Sequence, residues 1–135
     1  MACWDTTVFL DLLGRAGKRK QQDVEAKLRQ LEHDQPHSTT RFNIAETLVG
    51  LQAIAYPEAE RARLQIALSK LEILEFDARA MRIYPVIFAH LRRTGQLPGV
   101  MDMLIASVAL AHGHRLITRN ARHYQNIPRL RVDGY

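Results

Sequence analysis

The stretch GVMDMLIASVALAHGHRLIT, residues 99–118, predicts an apolar helix that leads directly into a buried strand. Residues 101–112 are almost all apolar or small, and Gly113 follows them where helices commonly end in a left-handed residue. One carboxylate, Asp102, lies in the first turn, where the helix dipole stabilises negative charge. Because few directions on so apolar a helix lead to water, Asp102 is either a helix cap or part of a site.

Short strands and helices alternate along the whole chain. The predicted strands are residues 2–4, 38–40, 73–76, 116–118 and, less clearly marked, 131–132. The predicted helices are residues 7–13, 22–33, 43–54, 57–70, 78–94 and 101–112. This alternation favours an α/β fold with a parallel sheet, in a single domain of residues 1–135. Ligands of such folds bind beyond the carboxyl ends of the strands.

Positive charge is concentrated in the second half of the chain. The chain has a net charge of +5, but residues 79–131 hold nine Arg, no Lys and only one acid, Asp102, a balance of +8. The guanidinium group suits phosphate recognition because its donors match phosphate oxygens. This half therefore predicts either a phosphate-binding surface or a solvated face.

Neither export nor membrane insertion is indicated. No apolar run reaches the length of a membrane-spanning helix, and the start, MACWDTTVFL, lacks the basic segment of a signal peptide. The single cysteine, Cys3, cannot form an intrachain disulfide, and we interpret it as a small core residue. These features predict a cytoplasmic protein with no membrane partner.

Two further acids occupy positions where this fold binds ligands. Asp5 directly follows the first predicted strand, and Glu46 projects from the apolar side of the helix after the second. Asp5 could be a helix cap, and Glu46 could pair with an Arg. If both converge with Asp102, their like charges require a cation, and carboxylates without a Cys/His set favour Mg²⁺ or Mn²⁺ over Zn²⁺. Such a site in an Arg-rich protein predicts phosphodiester chemistry.

Three segments resemble PIN domains, in the version found in VapC toxins of bacterial toxin–antitoxin pairs. DTTVFLDLL resembles their Asp-Thr-Asn/Ser-Val start, and TTRFNIAETLVGL resembles the segment with their second acid. GVMDMLIASVALAHGHRLITRNARHYQNIPRLRVDGY resembles their C-terminal third. The resemblance covers nearly all of the chain and implies a three-layer α/β/α sandwich with a five-stranded parallel sheet. It also implies a metal-dependent endoribonuclease that acts as a toxin.

The resemblance assigns roles to individual residues. Asp5, Glu46 and Asp102 match the three acidic positions, so we expect them to hold Mg²⁺, for which Mn²⁺ can substitute. A water activated there would hydrolyse the RNA phosphodiester, leaving a 5′-phosphate and a 3′-hydroxyl. Thr6 and Thr118 match hydroxyl residues that are expected to form hydrogen bonds around the metal ligands.

A fourth acidic position and several neighbours depart from the family pattern. Asn120 matches a position that is Asp in many relatives, and we expect it to orient a water or ligand. With Asn120 the site has one negative charge fewer, which weakens a second metal position. Thr7 stands where Asn or Ser is common, Trp4 where an aliphatic residue is usual, and His123 where Asp is frequent.

RNA and protein partners follow partly from charge and partly from the resemblance. Arg119 and Arg122 lie beside the site in sequence, so they are either RNA-backbone contacts or solvent-facing loop residues. The resemblance implies a homodimer and a cognate antitoxin. Two other functions stay open: a PIN nuclease that matures RNA, and an inactive PIN module that only binds RNA or protein.

Overall fold

The computed structural model of the chain describes all residues from Met1 to Tyr135. Its five strands are β1 Ala2–Trp4, β2 Ser38–Thr40, β3 Glu72–Leu74, β4 Arg115–Thr118 and β5 Val132–Gly134. Its six helices are α1 Thr6–Leu12, α2 Lys18–Gln30, α3 Arg41–Gln52, α4 Glu58–Leu68, α5 Ala78–Arg93 and α6 Val100–His112. A short 3₁₀ turn, Ala121–His123, follows β4.

The five strands form one parallel sheet in the order β3-β2-β1-β4-β5, which confirms the expected sheet. β1 is the central strand, and its Cys3 aligns with Ser38 of β2 and Leu116 of β4. Just past β1, the Asp5 N–H donates to the Ile117 carbonyl at 3.0 Å. The carboxyl ends of β1, β2 and β4 therefore lie at the same edge, and the residues that follow them meet there.

Helices cover both faces of this sheet. In β1, Cys3 packs into an apolar cluster with α5 and α6, whereas Ala2 and Trp4 pack into another with α1, α2 and α4. In β4, Leu116 and Ile117 divide between the two clusters in the same way. Burial on both faces is why these strands show no alternation of apolar and polar residues. The three-layer α/β/α arrangement is confirmed.

Element boundaries differ from the predictions where the apolar pattern is weak. α2 begins at Lys18 rather than at residue 22, because the polar run KRKQQ forms a helix without presenting an apolar face. β3 ends at Leu74 rather than at residue 76, because Asp77 already caps α5: its Oδ1 accepts from the Ala80 N–H at 2.9 Å. β5 runs from Val132 to Gly134 rather than over residues 131–132. The polar Asp133 interrupts the apolar pattern, so the sequence does not indicate the end of this strand.

The helices are short, and the chain has no helix with the length and apolar character needed to cross a membrane. α5, the longest, has 16 residues. Cys3 is fully buried, and burial raises the pKa of its thiol to about 12. Its predicted role as a core residue is confirmed.

Candidate metal centre

Asp5 lies between β1 and α1 and is only 4% exposed. Its Oδ1 accepts hydrogen bonds from Asn43 Nδ2 at 3.0 Å and from the Tyr124 hydroxyl at 3.1 Å. Its Oδ2 accepts one from the Thr118 hydroxyl at 2.6 Å. The side chain makes no capping hydrogen bond to α1, so helix capping does not explain this residue. Three donors from separate parts of the chain instead fix the carboxylate at the edge of the sheet.

Glu46 extends from α3 toward the same edge. The Thr6 hydroxyl donates to its Oε1 at 2.6 Å, and no Arg or Lys pairs with it. Asn43, almost one turn earlier in α3, donates from Nδ2 to Asp5 and, at 3.2 Å, to the Thr6 hydroxyl oxygen. Asn43 is itself held by Thr40, whose hydroxyl oxygen caps α3 by accepting from the Asn43 N–H. One buried amide thus connects the Asp5 and Glu46 sides of the site.

Asp102 faces the same edge from the first turn of α6. Its side chain is 23% exposed, and its Oδ1 accepts a hydrogen bond from the Tyr124 hydroxyl at 3.2 Å. Tyr124 is buried, and its hydroxyl lies within hydrogen-bonding distance of both Asp5 and Asp102. His123 approaches the other Asp102 oxygen, with Nδ1 at 3.4 Å from Oδ2. The structure therefore places Asp102 beside Asp5, and Glu46 lies at the same edge of the sheet, near enough for the charges of both to act on it.

The acids repel one another when they are ionised. Burial raises the pKa of Asp5 above its usual value, against hydrogen bonds from Thr118 and Tyr124 that lower it, and the charge of Asp102 adds to the rise. Burial also raises the pKa of Glu46, the hydrogen bond from Thr6 opposes this, and the charges of Asp5 and Asp102 raise it further. A cation at this edge would remove the repulsion and favour the ionised carboxylates.

These oxygen atoms fit a hard divalent cation that keeps water in part of its coordination sphere. Asp5 and Asp102 present oxygens close enough to share one hydroxyl, and no Cys lies among the donors. No three acidic, His or Cys side chains enclose a single point, so the protein alone does not form a complete cage. Mg²⁺ commonly binds through one or two carboxylates and several waters, which this arrangement allows.

The other predicted site residues lie around these acids. Thr118 donates to Asp5, and Thr6 donates to Glu46. Asn120 donates its backbone N–H to the Thr118 hydroxyl oxygen at 3.0 Å, but its carboxamide makes no hydrogen bond within the chain. Asn120 lines a cavity of about 510 Å³ formed by residues 119–123, and its side chain makes no hydrogen bond with any of the three acids.

The two loop arginines differ sharply from each other. Arg119 Nε donates to the fully buried Asp11 Oδ2 at 2.8 Å, and its backbone N–H donates to the Thr7 hydroxyl oxygen at 3.0 Å. The Tyr135 hydroxyl donates to the same Asp11 oxygen at 2.7 Å. This pairing argues against the RNA contact expected of Arg119, because leaving Asp11 would uncover a buried charge. Arg122 is exposed and stays a candidate.

Sequence reasoning missed Tyr124, Asn43 and Asp11. Tyr124 and Asn43 lie in segments that carry the family resemblance, yet no spacing rule marks a phenol or an amide as a partner of distant acids. Asp11 follows Phe9 and Leu10 on α1. An acid in so apolar a helix indicates a buried carboxylate with a partner, as it does for Asp102.

Comparison with known proteins identifies the family. The PIN domain family matches residues 2–129 of the chain. Ribonuclease VapC2 of Rickettsia felis is 33% identical over 92 residues, 68% of this chain and 69% of that protein. This chain belongs to the VapC ribonucleases. The tRNA(fMet)-specific endonuclease VapC of Salmonella typhimurium is 30% identical over 94 residues, 70% of this VapC chain and 71% of that protein.

A solved structure supports the same assignment. The crystal structure of VapBC2 from Rickettsia felis, bound to a DNA fragment from their promoter, matches with a TM-score of 0.84 and 25% identity. The match covers 99% of this VapC chain and 98% of that one. This VapC chain is accordingly a nuclease, and VapC nucleases depend on divalent metal ions.

Proposed function

We propose that the chain is the endoribonuclease toxin of a toxin–antitoxin pair and that Asp5, Glu46 and Asp102 hold its Mg²⁺ ion. The observation that carries the site is the sharing of one Tyr124 hydroxyl by Asp5 and Asp102, with Glu46 joined to them through Thr6 and Asn43. Mn²⁺ can substitute, because it accepts the same oxygen ligands. The family membership and the acid cluster together favour phosphodiester hydrolysis in RNA over simple binding.

The chain's own residues position the reacting groups. Asp5 is held by Asn43, Thr118 and Tyr124, so its carboxylate is oriented before a cation binds. A bound metal ion would lower the pKa of a nearby water and stabilise negative charge on the phosphate. In the proposed site, Glu46 and the carboxamide of Asn120, which makes no hydrogen bond within the chain, would orient water beside the scissile bond.

The toxin role implies a protein that blocks the enzyme, and we propose a cognate antitoxin and a homodimer. The Rickettsia felis relative is described in a VapBC2 complex, which supports an antitoxin for this chain. A second observation is an apolar cavity of about 290 Å³ between α1, α2 and α4, lined by Trp4, Phe9 and Leu28 among others. Exposed Ile66 borders it, so an apolar segment of the antitoxin has a surface to cover.

Metal-dependent cleavage of RNA tests this function. Purified protein is incubated with a structured RNA pool in Mg²⁺, in Mn²⁺ and in EDTA, beside the variant Asp102→Asn. We expect cleavage in both metals, none in EDTA and none with Asp102→Asn, because that change removes a charged ligand and leaves the shape of the residue.

A matched control is Asp23→Asn on exposed α2, which makes the same chemical change far from the acids. It should cleave like the unaltered chain. Cleavage that survives both EDTA and Asp102→Asn would overturn the proposed site. Absence of cleavage together with absence of metal-induced stabilisation would favour the binding-only function instead.

A further inference from the structure

A second concentration of charge lies away from the acids, along α5. A cavity of about 720 Å³ is bounded by α5, by the end of α6 and by the loop at Pro128 and Arg129. Its walls carry four arginines and one histidine: Arg79, Arg82, Arg93, Arg129 and His90. The floor between them is apolar. The mechanism above uses none of these residues.

The arginines of this cavity form no ion pairs, although the charge of Asp77 lies near enough to Arg79 to interact with it. No Asp or Glu lines the cavity, and none of its four guanidinium groups forms an ion pair. Four arginines outside the cavity form ion pairs, among them Arg41 with Glu75 and Arg119 with Asp11, whereas others such as Arg92 and Arg122 form none. Guanidinium groups without an ion-pair partner keep their hydrogen-bond donors available to an anion, and several on one surface attract negative charge.

The spacing of these residues suits an elongated anion. Arg79, Arg82 and Arg93 lie on one side of α5, and the 14 steps from the first to the last span about 21 Å of helix. Arg129 faces them from the loop and has a φ of 66°, a left-handed conformation that is uncommon for a residue with a side chain. A single small anion would not need a row of this length, whereas a chain of phosphates would.

We propose that this cavity is a second RNA-binding site, which holds the phosphate backbone of the substrate at a distance from the bond that is cut. The inference rests on the proposed ribonuclease function and adds a surface to it. Arginine suits this role because its planar fork binds phosphate oxygens in a bidentate manner. The alternative occupants fit less well. A second copy of the same face would bring like charges together.

The cavity is connected to the acidic site through α6 and the loop after β4. Leu110, which lines the cavity, is eight residues from Asp102 on α6, about 12 Å along the helix. Exposed Arg122 lines a separate cavity of about 380 Å³ together with Asp102. Cations therefore occur both beside the acids and along α5, so one RNA strand can contact the two sites at once.

The pair Arg93→Ala and Arg92→Ala tests the proposal. Both residues are exposed in the last turn of α5 and both changes remove one charge, but only Arg93 lines the cavity. Binding of a labelled single-stranded RNA is measured on an Asp102→Asn background, which prevents cleavage, over a range of salt concentrations. We expect Arg93→Ala to lower the slope of log affinity against log salt by about 0.7, the value of one phosphate contact to a single strand.

The salt slopes of Arg92→Ala and Arg93→Ala distinguish the possible results. Arg92→Ala should leave the salt slope almost unchanged, and Arg82→Ala combined with Arg93→Ala should lower it by about 1.4. Equal slopes for Arg92→Ala and Arg93→Ala would overturn the RNA site. Unchanged RNA binding with weakened binding of the antitoxin would overturn it too, and would assign the cavity to an acidic segment of that protein.

Arg129→Gly provides a variant that keeps the fold. Glycine adopts a positive φ without strain, so this change should maintain or raise the free energy of unfolding while it weakens RNA binding. Cleavage of a long RNA by Arg129→Gly should show a raised KM and an unchanged kcat.

Failure of this inference can be distinguished from failure of the proposed function. A short oligonucleotide that cannot reach both sites should be cut equally by Arg129→Gly and by the unaltered chain. If the unaltered chain cuts no RNA in either metal, the proposed function is wrong. If it cuts long RNA in metal with the same KM as Arg129→Gly, only the second site is wrong.

Discussion

The acidic centre and the arginine cavity handle charge in opposite ways. Asp5 is buried, and hydrogen bonds from Asn43, Thr118 and Tyr124 hold its two oxygens in place. Arg82 and Arg93 are exposed, and no partner within the chain restrains their guanidinium groups. In the acidic centre, buried hydrogen bonds restrain the carboxylates in the folded chain. In the arginine cavity, the side chains stay mobile until an anion binds.

This difference matches what each region would do. Bond cleavage depends on atoms fixed to within a fraction of an ångström, so buried hydrogen bonds around the carboxylates are useful there. Binding to a backbone of repeated phosphates needs only charge at suitable intervals, which flexible exposed arginines supply. Changes in the acidic centre should therefore alter stability and metal affinity, and changes in the cavity should alter salt-dependent binding.

Arg119 is the strongest test of this contrast, because it belongs to the Arg-rich half but is paired like a residue of the acidic centre. Arg119→Ala should lower the free energy of unfolding by about 3 kcal/mol, since it leaves the buried Asp11 carboxylate with only the Tyr135 hydroxyl as a partner. Chemical denaturation measures the loss.

The matched control is Arg122→Ala, three residues away, exposed and unpaired. It should change the free energy of unfolding by no more than about 0.5 kcal/mol. If the two variants were equally stable, the Asp11 pair would be no more than a surface contact. Asp11 would then require another explanation.

Tyr124→Phe tests whether the shared hydroxyl orients the two carboxylates. Burial and the two neighbouring acids raise the pKa of Tyr124, so its hydroxyl remains a proton donor. Loss of this donor should weaken Mg²⁺ affinity by about tenfold, the lower end of the effect expected when a partner of metal ligands is removed. Titration calorimetry with Mg²⁺ alone measures this directly.

Tyr84→Phe is the control for this change. Tyr84 is half-buried on α5, and its hydroxyl makes no hydrogen bond within the chain. Its replacement should leave Mg²⁺ affinity unchanged. An affinity for Tyr124→Phe equal to that of the unaltered chain would mean that Asn43 and Thr118 suffice to hold Asp5.

The smallest expected effect is a change in metal-induced stabilisation with pH. The pKa values of Asp5 and Glu46 are raised by folding, so the folded metal-free chain binds more protons than the unfolded chain. Its stability from these groups falls as pH rises from their ordinary pKa values, near 4, to the raised ones. Mg²⁺ favours the ionised forms, so the gain in Tm on adding it should be larger at about pH 8 than at about pH 5.

The variant Asp102→Asn provides the comparison for that measurement. Without the Asp102 charge, repulsion is reduced and so is metal binding, and the gain in Tm should be small at both pH values. A gain in the unaltered chain that does not depend on pH would argue against metal binding by ionised Asp5 and Glu46.

The fold and the positions of the acids could be predicted because both follow local patterns. β1 and β2 have the predicted bounds, since short apolar or β-branched segments between polar residues mark buried strands well. Asp5, Glu46 and Asp102 were found because a carboxylate on an apolar surface is conspicuous. Their convergence follows from the rule for parallel sheets.

The partners of those acids could not be predicted in the same way. Tyr124 lies 119 positions after Asp5, and only the tertiary fold, in which the 3₁₀ turn packs against β5, brings its hydroxyl to that carboxylate. Arg119 adjoins Asn120 in sequence, but the strand before it points the guanidinium group toward α1 and Asp11. Adjacent residues of one loop can therefore have different roles, because the direction of each side chain depends on tertiary contacts.

The strand order has a consequence for how the enzyme is made. β1 leaves the ribosome first, but its neighbour β4 and the donors Thr118 and Tyr124 are translated 113 and 119 positions after Asp5. Until those segments are synthesised, Asp5 lacks the donors Thr118 and Tyr124, and β1 lacks one of its two neighbouring strands. A chain of this topology therefore completes the pairing of its central strand, and the set of distant donors to Asp5, only once β4 and the 3₁₀ turn have been synthesised.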